Sequence, residues 1–240
     1  MPTLIEMRLK ATWQLREDTR QLHGLACALF EGEGAGHSGQ FSVWPLRPAA
    51  GGSADEWAWR VAWLPDGPVP SAAAAADALR VGHVSCAVTE SMQRRVTHAQ
   101  LAGGPAVSEV AVSFGSPTYF SRNGTGTVLP DPRLIAGSWR RRWNSSLPEE
   151  DPLVIGDEAW QDTHRALELA AFDLCTERRD TGHGRERAGF TGTATLRLDR
   201  TAPRSARAIL GTLARFAEYC GTGAQTTHGF GATRMAPAGG

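Results

Sequence analysis

Trp57-Ala58-Trp59-Arg60-Val61-Ala62-Trp63 alternates bulky apolar residues with small or polar ones, so Trp57, Trp59, Val61 and Trp63 all point to one side of an extended chain. A period of two is the mark of a half-buried β-strand. Upstream of it, Phe41 to Leu46 forms a second strand. Before that, residues 16–30 predict a helix with Leu22, Leu25, Ala26, Leu29 and Phe30 on one face, and residues 3–12 are extended. Downstream, Ser71 caps an alanine-rich helix predicted to reach residue 79, and Val84, Cys86 and Val88 alternate along a further strand. The order β-α-β-β-α-β predicts an antiparallel sheet with two helices on one face, the ferredoxin-like arrangement that RNA-recognition modules also use.

The second half repeats this order. Val110, Val112 and Phe114 alternate along a strand, residues 132–143 are helical, and a second helix is expected over residues 157–171 with Trp160, His164, Leu167 and Ala171 aligned. Residues 172–177 and 189–198 predict strands, residues 203–220 a helix, and residues 230–235 a closing strand. The fold class is therefore α+β: two tandem ferredoxin-like, RRM-like domains, residues 1–104 and 105–240, meeting at Gly103-Gly104-Pro105. Residues 47–55 and 181–187 are expected to be exposed loops.

With 240 residues, a formal net charge of zero and 41% hydrophobic residues, the chain can bury a core in each half and is no polybasic tail. No apolar run approaches the roughly 20 residues of a membrane-spanning helix. The N-terminus lacks the zones of a secretory signal, so a cytoplasmic protein is expected. Cys27, Cys86, Cys175 and Cys220 lie singly in apolar patterns, which predicts buried reduced thiols and neither disulfides nor a metal site; no cofactor is expected. Lys10 is the only lysine, so the basic charge is carried by arginine, the better planar fork for phosphate.

Gly221-Thr222-Gly223-Ala224-Gln225-Thr226-Thr227-His228-Gly229-Phe230-Gly231 follows the helix of residues 203–220 directly. Glycines permit positive φ and close backbone approach, so the loop is expected to present amide donors and hydroxyls to a phosphate backbone. Gly221, Gly223, Thr226, Thr227, His228, Gly229 and Gly231 are its RNA-binding candidates. Arg140, Arg141 and Arg142 join them, although on a helix no more than two can face one ligand. Arg178, Arg179, Arg185 and Arg187 form a second basic cluster.

Phe114-Gly-Ser-Pro-Thr-Tyr119-Phe120, Leu129-Pro-Asp-Pro132 leading to Arg142-Trp143-Asn144, Gly189-Phe190-Thr-Gly192 and Phe216-Ala-Glu-Tyr-Cys-Gly221, in that order, resemble the C-terminal domain of the CRISPR-associated endoribonucleases of the Cas-six type. The resemblance implies binding of CRISPR repeat RNA and cleavage of precursor CRISPR RNA within the repeat. It also implies that the 2′-hydroxyl is the nucleophile and that no metal takes part. A histidine of that family precedes a strand equivalent to Phe41-Ser-Val-Trp-Pro-Leu46, which makes His37 the first choice for general acid or base and His23 the second. Ser38, Ser42 and Arg47 are candidates by proximity only. His83, His98, His164 and His183 are read as structural or surface residues.

The chain departs from the family pattern in having Gly39-Gln40 where many relatives have Lys-Pro, and in lacking a tyrosine in the first helix. A second reading is therefore a non-catalytic repeat-RNA-binding scaffold working with other Cas proteins in an effector complex. A third, resting on the loop alone, is a module for small anionic metabolites.

Overall fold

The computed structural model describes residues 1–11, 13, 15, 18–32, 39–122, 125–181 and 186–236. The first sheet is built from β1 (Thr3–Ala11), β2 (Phe41–Val43), β3 (Arg47–Pro48), β4 (Glu56–Trp63), β5 (Ala78–Val81) and β6 (Val84–Arg95). Its order is β2-β4-β1-β6-β5, with β3 also on β4, and every pairing is antiparallel. Helix α1 (Thr19–Phe30) starts where the Asp18 carboxylate accepts from the Arg20 amide, and it lays Leu22, Ala26, Leu29 and Phe30 on one face. That face meets Ile5, Met7 and Leu9 of β1, Phe41, and Trp59 and Val61 of β4 in one core. The alanine-rich segment forms only α2 (Ser71–Ala74), a single turn, in place of a helix reaching residue 79. Leu79 and Val81 instead point inward from β5, because Gly82 at φ 62° makes the tight turn that pairs Val81 with Val84.

The chain continues through α3 (His98–Ala102), β7 (Glu109–Thr118), the small hairpin β8 (Phe120–Arg122) and β9 (Thr125–Thr127), α4 (Pro132–Ser145) and α5 (Asp157–Ala166). It finishes with β10 (Leu167–Asp180), β11 (Glu186–Leu198), α6 (Arg204–Cys220), a 3-10 turn at Thr226–His228 and β12 (Thr233–Met235). The four-stranded order β10-β11-β7-β12 repeats that of β2-β4-β1-β6 in the first sheet. The fold is thus α+β with two tandem ferredoxin-like units, and the glycine-rich loop joins α6 to the last strand. Helix α5 ends five residues before the expected residue 171, because Leu167 turns extended and pairs with Leu198. The β10–β11 ladder then runs on to Asp180 opposite Glu186, so Arg178, Arg179 and Arg187 are strand residues and not part of a loop. Arg185 and His183 lie outside the described residues.

The two sheets share contacts. Leu4, Ala62 and Leu64 of the first half belong to the apolar cluster of the second, beside Leu101, Trp143 and Phe216. The Ser42 hydroxyl donates to the Tyr219 carbonyl, and Arg215 donates to the carbonyls of Leu101 and Pro105, fixing the segment between the sheets. His98 is buried between Asp66 and Ser146, the structural place expected for it. Of the four cysteines only Cys86 and Cys220 are buried; Cys27 is half-buried, and Cys175 is exposed on β10, most of whose side chains are uncovered. No helix among the described residues is long and apolar enough to cross a membrane.

Candidate nucleic-acid interface

The glycine loop is a packed structure. Gly221, at φ 68°, ends α6 with its N–H on the Ala217 carbonyl. Thr222 turns inward: its amide donates to Gly231 O, and its hydroxyl accepts from Trp139 Nε1 of α4 at 2.7 Å. Gly223 N–H donates to the Ser138 hydroxyl, Ala224 N–H to Tyr119 O and Gly231 N–H to Pro117 O. A Cβ at Gly223 would lie 2.3 Å from Tyr119 O, and one at Gly231 1.9 Å from Thr222 O. The glycines therefore serve close backbone contact at positive φ. This corrects the expectation of a row of free amides, since those at both ends of the loop are committed internally.

The middle of the loop docks on the first half. His23 Nδ1 of α1 lies 2.9 Å from the Thr227 carbonyl, which can only accept, so this nitrogen carries the proton. Its Nε2 is 3.5 Å from Cys27 Sγ, and burial, with Glu31 nearby, pushes the thiol up to about 11 and keeps it a donor. The His228 ring stacks on His23 at 3.7 Å and 12°. Burial, then the neighbouring His23 and Arg20, hold His228 down at about 4, so it is neutral at physiological pH. Arg179 Nη1 donates to Gly229 O at 2.8 Å and its guanidinium lies over Phe230.

His37 and Ser38 lie outside the described residues. On the near side of them in the sequence, the Gly39 amide donates to the Glu31 carboxylate at 3.0 Å, so the residues bracketing 33–38 meet at the end of α1. Arg142 crosses from α4 to donate to Gly39 O at 2.8 Å and Phe41 O at 2.6 Å, so its guanidinium fastens the two halves together. Arg140 holds Ile155 O and the Asp157 carboxylate, joining α4 to α5. Arg141 is exposed beside Gly137 and Trp160. The three arginines do not converge. Ser42 is buried against Tyr219, and Arg47 donates to the Gly115 carbonyl.

A groove of about 630 Å³ opens over β1, β4 and β6 of the first sheet, with Arg234 of β12 also in its lining. In its wall Trp44 lies between two guanidinium groups, Arg60 at 4.4 Å and Arg234 at 4.9 Å from the ring. Burial and Arg234 lower Arg60 to about 10, still protonated at neutral pH. Arg47 lines both this groove and a smaller one with Arg178 and Arg179, and Arg179 touches Gly229. A strip of arginines therefore leads from β12 to the glycine loop, interleaved with Glu6, which pairs with Arg60, and with Glu90 and Glu177. Arg60 could have been placed there from sequence, since it faces away from Trp59 and Val61; Arg234, Tyr119 and Gln225 carry no such spacing signal.

The family model for CRISPR-associated endoribonuclease Cas6 matches residues 112–233. A curated Cas6 from Mycobacterium tuberculosis (strain CDC 1551 / Oshkosh) is 28% identical over 177 residues, which is 71% of this chain and 54% of that protein. The chain thus spans about half the length of the curated relative it matches. Among solved structures, a Cas6 product complex superposes with a TM-score of 0.82 at 26% identity, covering 98% of this chain and 100% of the other. Thermus thermophilus Cas6 gives 0.77 at 25% identity, covering 98% of each. With a family model spanning β7 to β12 and a fold shared end to end, this chain belongs to the CRISPR-associated endoribonuclease Cas6 family.

Proposed function

We propose that this protein binds CRISPR repeat RNA and cuts precursor CRISPR RNA within the repeat, without a metal ion, with His37 as general acid or base. The observation that supports the reading is that α1 carries both the His23 dock of the glycine loop and, at its end, the Glu31 carboxylate that accepts from Gly39 next to the segment bearing His37, while Arg179, from the groove it lines with Arg47 and Arg178, holds Gly229 of that loop. Solved relatives of the fold include product complexes and a substrate-mimic complex. In the reaction the 2′-oxygen loses its proton and bonds to phosphorus as the bond to the 5′-oxygen breaks. That oxygen takes a proton, leaving a 2′,3′-cyclic phosphate and a 5′-hydroxyl. A base, an acid and cations around the phosphorane suffice.

His23 Nδ1 is held by the Thr227 carbonyl and its Nε2 lies 3.5 Å from Cys27 Sγ, an occupancy that supports an anchoring role for His23, with His37 as the proton-transfer residue of this reading. The same occupancy favours the scaffold reading if His37 is not catalytic. Single-turnover cleavage of a repeat transcript in EDTA tests both. His37→Ala should slow cleavage about 10²–10⁴-fold with binding nearly unchanged, and 2′-deoxyribose 5′ to the cut should block reaction. Cleavage of the deoxy substrate would overturn 2′-hydroxyl attack, and binding without cleavage by the unmodified protein would establish the scaffold.

A further inference from the structure

Gln225 is the non-glycine residue with positive φ among the described residues, at φ 56° and ψ 34°. A glycine would adopt this left-handed conformation without strain, so the glutamine side chain has to contribute what a hydrogen atom cannot. That side chain is fixed and exposed. Its Oε1 accepts from the Tyr119 hydroxyl at 2.6 Å. Tyr119 is itself buried, edge-on to Phe230, and its carbonyl accepts from Ala224, so the phenol cannot follow a moving partner. Burial raises the phenol above its usual range and keeps it a donor. With the carboxamide oxygen held by the phenol, the NH₂ group keeps its two N–H donors for another partner. The Arg187 guanidinium lies 5.3 Å over the same Tyr119 ring, and Gly126 of the β8–β9 hairpin leaves it room, since a Cβ there would come within 3.2 Å of Nη1. Among the described residues the Arg187 guanidinium contacts this Tyr119 ring.

We propose that Gln225 is a substrate-reading residue: its NH₂ group, positioned by Tyr119, donates to an acceptor on the bound RNA strand beside a phosphate held by Arg187. This rests on the RNA-binding reading above and adds a recognition point to it. The two neutral N–H donors of Gln225 and the cationic donors of Arg187 suit a strand rich in acceptor oxygens, and the guanidinium disfavours a cationic ligand. Tyr119 is a positioning residue here, acting through Gln225.

The test is filter binding with a labelled transcript of the CRISPR repeat from the same genome, alongside thermal melts. Gln225→Gly should weaken binding about tenfold while the melting temperature stays level or rises, because the strain is relieved. Tyr119→Phe should weaken binding in the same direction but less. Arg187→Gln should lower the slope of log K against log salt by about 0.7, whereas Gln225→Gly should leave that slope unchanged. Loss confined to one base identity in a set of single-base repeat variants assigns the acceptor to a base edge; uniform loss assigns it to the sugar-phosphate backbone; either supports the proposal. Unchanged affinity for Gln225→Gly, with normal binding by the parent protein, overturns this inference alone. A parent protein that binds no repeat transcript overturns the RNA reading with it.

Discussion

At the scale of single residues, the glycine loop is decided by contacts shorter than any side chain allows. Gly231→Ala has to place a Cβ 1.9 Å from the Thr222 carbonyl oxygen at a φ of 65°, and neither backbone can yield without breaking the Thr222 N–H to Gly231 O bond. We expect a loss of about 2–4 kcal/mol, read as a melting temperature lower by roughly 5–15 °C. Gly229→Ala meets only the Arg179 guanidinium, at 3.5 Å, and should cost less; equal losses would show that strain alone, and not the Thr222 contact, governs the loop. The His23–His228 stack makes a second prediction. Because the folded state holds His228 at about 4, below an ordinary imidazole, the unfolded chain binds that proton more readily. The stabilising contribution is complete above about pH 6.5 and is lost as pH falls toward 4. His98, lowered by burial, acts with the same sign, so the reading is a difference. Between pH 7.5 and pH 5, urea unfolding should show the parent protein losing more stability than His228→Gln, and equal losses would remove His228 from the account.

Among the elements, α4 ties both the loop and the first sheet: Trp139 reaches Thr222, Ser138 reaches Gly223, and Arg142 reaches Gly39 and Phe41. Arg142→Lys keeps the charge but cannot fork to two carbonyls. It should cost about 1–3 kcal/mol and slow repeat cleavage more than it weakens binding, because Gly39 stands two residues from His37. Single-turnover rates beside binding isotherms check this; equal effects on both would make Arg142 a stability residue only. The elements also show which parts of the fold were legible in the sequence. The Trp57–Trp63 alternation and the apolar face of α6 depend on local periodicity, and both elements stand where that periodicity put them. Leu167 to Ala171 carries apolar residues at spacing compatible with helix or strand, and pairing with β11, a contact distant in sequence, decided for the strand. The site was less legible for the same reason. Tyr119 and Gln225 are 106 residues apart, and no spacing rule joins them. The arginine triplet reads as one patch in sequence, yet the helix sends its members to α5, to solvent and to the first sheet.

Across the whole molecule, the question is whether the two sheets fold as one unit. Leu4 and Leu64 of the first half are buried at 3% and 0% exposure within the apolar cluster of the second. Fully burying such a side chain is worth about 1.5–3 kcal/mol, and a buried hydrogen bond such as Ser42 to Tyr219 adds roughly 0.5–1.5 kcal/mol. With Arg142 and the Arg215 clamp included, the coupling is comparable to the entire stability of a small domain, about 5–15 kcal/mol. Neither half should then persist after the other unfolds. Urea unfolding followed by tryptophan fluorescence, with reporters in both halves at Trp59 and Trp139, and by far-ultraviolet dichroism should give coincident single transitions. Leu64→Ala should shift both curves together by about 2–5 kcal/mol, even though residue 64 belongs to the first half of the chain. Two separated transitions, or a shift confined to one probe, would mean that the sheets are joined only by their linker, and the glycine loop could then leave His23 while both halves stayed folded.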